Sequence, residues 1–304
     1  MTSPKRIDSK ARALYKEAIR KALPNASIRR LRFVEIGWQC IVVVADNAIV
    51  FRFPRARENV SDMEMELRLL PLLARHLPCP IPVPLQVRPP LAADGMPFMT
   101  YKIVPGKRTN WRAFTPRERA MFLGDLGRVL DALAEFPIGC ALSAGVEDHR
   151  SPAWMLEFRH YYERSFNKDV SPFLKKDLRS KLQRTFREYL GNPRNADFRP
   201  VLLHRELDPG HVLVSSGRIS GIIDWGAAWV GDPAYDIGQV DSALTLTDAE
   251  VERLGKERIG PKDLTFNDRV RFYKRFDAIS KLHGAIRRND QAVFGSAIRL
   301  LEKL

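Results

Sequence analysis

Two short apolar runs late in the chain, 211–214 (HVLV) and 219–224 (ISGIID), separated by Ser215-Ser216-Gly217, constrain the fold more than any other feature. β-Branched runs split by a small turn cluster predict a tight hairpin. Helical periodicity dominates the sequence on either side, so a hairpin placed there has to be buried among helices. Closing the hairpin also brings its ends together. His211 opens one arm and Asp224 closes the other, so the two side chains should meet. Just upstream, His204 and Glu206 follow an apolar strand, on a loop that contains Pro209-Gly210. Loops held by rigid strands are where catalytic groups commonly sit. A loop carboxylate beside an imidazole and a second carboxylate suits a general base and a magnesium ion.

The first half of the chain has a different texture. Residues 8–23 place Ala11, Leu14, Tyr15, Ala18, Ile19 and Ala22 at helical spacing, and Pro24 ends the run. Between 31 and 54 the runs LRFVEI, CIVVVA and AIVFRF are separated by Gly37-Trp38-Gln39 and Asp46-Asn47. They predict three antiparallel strands joined by short turns. A helix follows, with Met63, Leu67, Leu70 and Leu73 on one face, and is expected to stop at Pro78. After the extended PCPIPVP, MPFMTYKIV offers another strand before Pro105-Gly106. From there to about residue 198 the chain reads as amphipathic helix, and strand texture returns only at the hairpin. The expected architecture is α+β: a small antiparallel β lobe with one helix over 1–104, then a larger helical lobe over 105–304. A cleft between them is where a small-molecule site is expected.

The stretch 202–238 (LLHRELDPGHVLVSSGRISGIIDWGAAWVGDPAYDIG) resembles the catalytic and metal-binding segments of the aminoglycoside/macrolide phosphotransferase family, relatives of the protein kinases. That family shows His-Gly-Asp-Leu, then Pro and a metal-ligand Asn or His, then Val-Leu-Val, a hairpin, Ile-Ile-Asp-Trp/Phe-Gly and Asp-Pro-x-x-Asp. This chain supplies His204, Leu207, Pro209, His211, Val212-Leu213-Val214, Ile222-Ile223-Asp224-Trp225-Gly226 and Asp232-Pro233-Ala234-Tyr235-Asp236, in order and at that spacing. The resemblance implies a bilobal protein-kinase-like fold. It also implies Mg2+-dependent transfer of the γ-phosphoryl group of ATP or GTP to a hydroxyl of a small molecule. The acceptor would be an aminoglycoside-like or macrolide-like antibiotic, or a related metabolite. Asp224 and His211 would hold the metal, and Glu206 would orient the attacking hydroxyl and accept its proton. His204 and Asp236 would brace the loop. FRFPR at 51–55 resembles the strand bearing the triphosphate-binding cation, here Arg52, with Glu66 as its partner on the next helix. YKIVPG at 101–106 resembles the hinge, which implies base contacts from the backbone of Lys102 and Val104. Leu213 and Ile223, within the main motif, count among the nucleotide-binding residues.

Three positions depart from the family pattern. Glu206 stands where Asp is usual, and its extra methylene moves the carboxylate by about an ångström, a misplacement that costs on the order of 100-fold in rate. Arg205 replaces the usual Gly, adding bulk and charge beside the base. Arg52 replaces the usual Lys with a larger cation that is not interchangeable with it. Gly37 is the only glycine in the first strand turn, so no glycine-rich loop covers the phosphates. These changes leave an alternative, a kinase-like protein that binds nucleotide or a small ligand without efficient transfer. Glu still accepts protons, and phosphoryl transfer relies mostly on positioning and charge neutralisation, so a working enzyme is the reading adopted.

Charge bears on partners. Fifty Lys and Arg against 36 Asp and Glu give a net charge of +14, which admits nucleic acid, an anionic surface or an anionic substrate. The basic residues are scattered through predicted helices, and no helix-turn-helix, RNA-recognition or zinc-finger signature is present. A generally basic surface is therefore expected, and a nucleic-acid partner is not. One region differs: from Asp224 to Glu252 there are seven acids (Asp224, Asp232, Asp236, Asp241, Asp248, Glu250, Glu252) and no Lys or Arg. Such an island predicts a place for a metal or a cationic acceptor, with Asp232 and Asp241 as candidates, although 248–252 also reads as an exposed acidic helix start. A macrolide would want an apolar pocket, which aromatics in 152–166 could line, but helix packing is the more economical use for them. The three isolated cysteines (Cys40, Cys79, Cys140) argue against disulfides and a zinc site. With no secretory signal and no apolar run of roughly 20 residues, they fit a reducing cytoplasm.

Overall fold

Alternation along the first strands decides which way the sheet faces. The computed structural model describes residues 7–34, 39–86, 90–92, 94–259 and 263–304. Helix α1 (Ser9–Ala22) starts at Asp8, whose carboxylate accepts the Ala11 N–H. Strands β1 (Leu31–Val34), β2 (Cys40–Ala45), β3 (Ile49–Pro54) and β4 (Met99–Lys102) form one antiparallel sheet in that order. Asp46 and Asn47 both take positive φ, which these residue types tolerate, and so close the β2–β3 turn. The earlier turn that contains Gly37 lies outside the described residues. Ile41, Val43, Phe51 and Phe53 pack with Phe98 against Ile19 of α1. Val44, Val50 and Met99 belong to the main core on the opposite face. Arg52 alternates with Phe51 and Phe53, so it faces the rest of the molecule and is only 7% exposed.

Helix α2 (Val60–Leu73) buries Met63, Leu70 and Leu73 as expected, with Glu66 beside them. It ends at Leu73 rather than running to Pro78. Pro71 sits in its last turn and withholds a backbone N–H, and the Ala74 N–H caps the helix on the Leu70 carbonyl.

The second half is mostly helix: α3 (Pro116–Glu135), α4 (Ile138–Ser143), α5 (Ala153–His160), which runs into a π-helical stretch Tyr161–Val170, and α6 (Lys176–Gly191). After the hairpin come α7 (Ala234–Leu244), α8 (Asp248–Ile259), α9 (Phe266–Arg288) and α10 (Gln291–Lys303). Taking the strands in chain order, β5 (Glu147–Asp148), β6 (Val201–Leu203), the hairpin arms β7 (Val212–Ser215) and β8 (Arg218–Ile222), and β9 (Trp229–Gly231) lie among these helices. Ser216 and Gly217 take positive φ in the hairpin turn, pairing Ser215 with Arg218. The three-stranded sheet β5-β9-β6 was not expected, because two- and three-residue strands carry no readable period. Trp154, Phe158 and Phe166 are buried in the core, so the aromatics of 152–166 serve helix packing. The α+β layout, a small antiparallel sheet followed by a helical lobe with an embedded hairpin, is the one expected. Among the described residues, no helix is long and apolar enough to cross a membrane.

The acidic island corrects one expectation. Asp232 is fully buried and bound by Arg269, whose Nε lies 2.7 Å from Asp232 Oδ2. Arg269 also pairs with Asp263, and the Tyr273 hydroxyl donates to Asp232. Asp241 is buried against Lys274, Asp236 is buried under the 204–205 backbone, and Glu250 pairs with Arg119. These acids hold helices together and leave no open cation site at Asp232 or Asp241. Of the island, Asp224 and the loop-bracing Asp236 belong to the site described next.

Candidate active site

One buried guanidinium ties three elements together. Arg52 Nη1 donates to both Glu66 oxygens at 2.9 and 2.8 Å, and Nη2 donates to Asp224 Oδ1 at 3.0 Å. Glu66 also accepts the Trp225 N–H at 2.8 Å. Strand β3, helix α2 and the hairpin exit therefore meet at this ion cluster. Burial works against charge on Arg52, but the Glu66 and Asp224 carboxylates outweigh it and hold the guanidinium protonated. Burial alone would lift the Asp224 carboxyl, yet Arg52 and His211 keep it below its usual range. The partnership expected between Arg52 and Glu66 is present, and the contact to Asp224 adds to it.

The loop after β6 is organised by its own backbone. Burial pushes His204 down to about 3, so it is neutral. Its Nδ1 accepts the Glu206 N–H at 3.1 Å, which leaves the proton on Nε2 to donate to the Ile223 carbonyl at 3.1 Å. Asp236 accepts the His204 and Arg205 N–H groups at 2.9 and 2.8 Å. Burial raises its carboxyl to about 6 against the pull of those two donors. Both bracing residues thus act on the loop that carries Glu206. At the hairpin mouth the Ile223 N–H donates to the His211 carbonyl at 3.0 Å. That bond sets His211 Nε2 3.5 Å from Asp224 Oδ2.

Asp208 completes the cluster and was missed in the sequence. Its Oδ1 accepts the Gly210 N–H at 2.7 Å and lies 3.3 Å from His211 Nδ1. The i, i+3 spacing from Asp208 to His211 across Pro-Gly was the available signal. Burial disfavours the His211 cation, but Asp208, Glu206 and Asp224 overcome it and raise the imidazole to about 9. Burial at the loop base, with Asp224 and Asp208 adding to it, lifts Glu206 to about 7 against the opposing pull of His211. The Glu206 side chain is still 45% exposed, so solvent tempers that shift.

Ligand atoms of Glu206, His211 and Asp224 lie within 4.8 Å of one another, close enough to share a divalent cation. The two carboxylates suit a hard ion such as Mg2+, and the imidazole suits it less. A cationic His211 would release its proton on coordination. The donor set fits a metal held mainly by oxygen.

Residues 104–107 meet the hairpin. A Cβ added to Gly221 would come within 2.2 Å of Val104 Cγ1 and 3.0 Å of the Pro80 carbonyl oxygen, so only glycine lets β8 approach this closely. Lys107 exchanges backbone hydrogen bonds with Val214. Val104 and Leu213 are buried, Ile223 is half-buried and the Lys102 side chain is exposed.

A family model described as the phosphotransferase enzyme family (APH) matches residues 38–259. No curated protein matches the chain. Among solved structures, the GDP complex of wild-type aminoglycoside 2'-phosphotransferase-IIIa is similar with a TM-score of 0.81, 25% identity, and coverage of 97% of this chain and 98% of that one. A GDP and kanamycin complex of the aminoglycoside phosphotransferase APH(2")-IIIa gives a TM-score of 0.81 at 26% identity, covering 95% and 97%. The macrolide 2'-phosphotransferase MphH from Brachybacterium faecium shares the fold, with a TM-score of 0.70 at 22% identity over 95% and 97% of the two chains. The chain belongs to the APH phosphotransferase enzyme family.

Proposed function

We infer that this protein transfers the γ-phosphoryl group of GTP or ATP to a hydroxyl of an aminoglycoside-like antibiotic. The observation that carries this reading is the convergence of Glu206, His211 and Asp224 within 4.8 Å, opposite a charged Arg52. Mg2+, when bound by Asp224 and His211, would neutralise charge on the triphosphate. Arg52, fixed by Glu66, supplies a second positive charge for the phosphate oxygens. The backbone at Lys102 and Val104, with Leu213 and Ile223, would receive the base, so the lobes divide at 104/105. Glu206 accepts the acceptor's hydroxyl proton, and its lifted carboxyl is matched to a base working near neutral pH.

Two lines support a cationic acceptor. The similar structures at 25% and 26% identity are aminoglycoside phosphotransferases, one of them holding kanamycin. Asp208, 29% exposed beside Glu206, offers a second carboxylate at the site. The remote positive charge of the protein is screened beyond about 8 Å in physiological salt, so these near carboxylates decide.

Glu206→Gln should lower kcat by roughly 100- to 10,000-fold while leaving nucleotide affinity within a few-fold. In the natural protein kcat/KM should fall about tenfold per pH unit below about 7, because the base has to be deprotonated to act. The variant should lose the Glu206 step of that acid limb and keep only the part set by proton release from His211. Full activity in Glu206→Gln would remove Glu206 as the base.

A further inference from the structure

Arg205 occupies the position beside the base where glycine is usual in this family, and its backbone φ is +68°. A residue with a Cβ enters this region at a cost, so something has to hold it there. Its N–H is held by Asp236. Its side chain turns away from the base and lies on Trp229, with the guanidinium carbon 3.2 Å from the ring centroid. Tyr235 stands 5.5 Å away, and Arg205 Nη1 reaches the Ala227 carbonyl at 3.4 Å. His149 stacks on Trp229 at 3.6 Å and 14°, and its Nε2 lies 2.8 Å from Glu147 Oε2. Arg205 Nε is buried without an acceptor among the described residues, a cost the side chain would escape by turning into solvent. The stack therefore outweighs solvation here.

The partners of this side chain matter. Ala227 and Trp229 belong to the segment that follows Asp224, itself at φ +67°. Arg205 adjoins Glu206 on the other segment. The side chain thus spans the two loops that carry the proposed base and the proposed metal ligand.

We propose that Arg205 is a positioning residue, a strap between the 204–208 loop and the 225–229 segment that sets Glu206 against Asp224. The proposal rests on the phosphotransfer reading above, and its test separates the two.

Arg205→Gly should keep the fold, since glycine accepts this φ without strain. Its kcat should fall about 10- to 100-fold, as expected for a base displaced by about an ångström, with the KM for nucleotide within about threefold. Arg205→Lys keeps the charge but not the planar fork, and should behave like Arg205→Gly. Trp229→Phe keeps a ring and should retain most activity, whereas Trp229→Leu should not. Amide hydrogen exchange should speed up at 204–206 and 225–229 in Arg205→Gly and nowhere comparable in the nucleotide hinge. That readout needs no acceptor, so it decides the strap even if no acceptor is ever phosphorylated. A kcat within twofold of the natural protein, or unchanged exchange in both segments, would overturn the proposal.

Discussion

Asp224→Asn is expected to reduce phosphoryl transfer by about a thousandfold or more while the protein stays folded. Asp224 carries a carboxylate held by both Arg52 and His211, and it is the hard oxygen donor a Mg2+ ion would take. Removing its charge would take away the proposed metal binding and the neutralisation that phosphoryl transfer depends on. The fold should survive for a backbone reason: Asp224 sits at φ +67°, a region asparagine enters more readily than most residues. Arg52 also keeps its two bonds to Glu66. Labelled-phosphate transfer, measured beside far- and near-ultraviolet circular dichroism, gives the comparison. Activity within tenfold of the natural protein would mean that Asp224 is not the metal ligand.

The largest stability effect should come from outside the site. Asp232→Ala is expected to cost about 3–5 kcal/mol, because it strands a fully buried arginine. Among the described residues the Asp232 carboxylate accepts four hydrogen bonds, all from buried groups: Arg269 Nε and Nη2, the Tyr273 hydroxyl and the Ala234 N–H. Tyr273 in turn accepts from Trp154 Nε1 at 2.7 Å and shares a 2.6 Å bond with Tyr189, so the loss reaches three aromatic side chains. Asp263 still pairs with Arg269, which keeps the loss from being larger. A fall in Tm of roughly 10 °C is the expected readout. A change under 2 °C would show that Asp263 alone satisfies the guanidinium.

The contrast between these two aspartates shows what the sequence discloses. The chemistry of 202–238 is legible because its parts are close in sequence and a hairpin forces its ends together. His211 and Asp224 meet because Ser216-Gly217 turns the chain between them. Arg52 and Glu66 are 14 residues apart, and a strand followed by a helix places them on facing surfaces. Asp232 and Asp241 were misread because charge is visible in a sequence while its neutralising partner is not. Arg269, the partner of Asp232, comes from another helix 37 residues on. Arg205 shows the same limit: the sequence puts bulk beside Glu206, and only the packing of β9 shows the side chain leaving for Trp229. Strands β5 and β9 were missed because alternation needs more residues than they contain.

The most direct test is transfer of labelled γ-phosphate from GTP and from ATP, with Mg2+, to kanamycin, with Asp224→Asn as the control and Glu206→Asp run in parallel. Label is expected on kanamycin with the natural protein and none above background with Asp224→Asn. Label absent from kanamycin with both the natural protein and Glu206→Asp, although nucleotide is bound, would contradict the phosphotransfer reading.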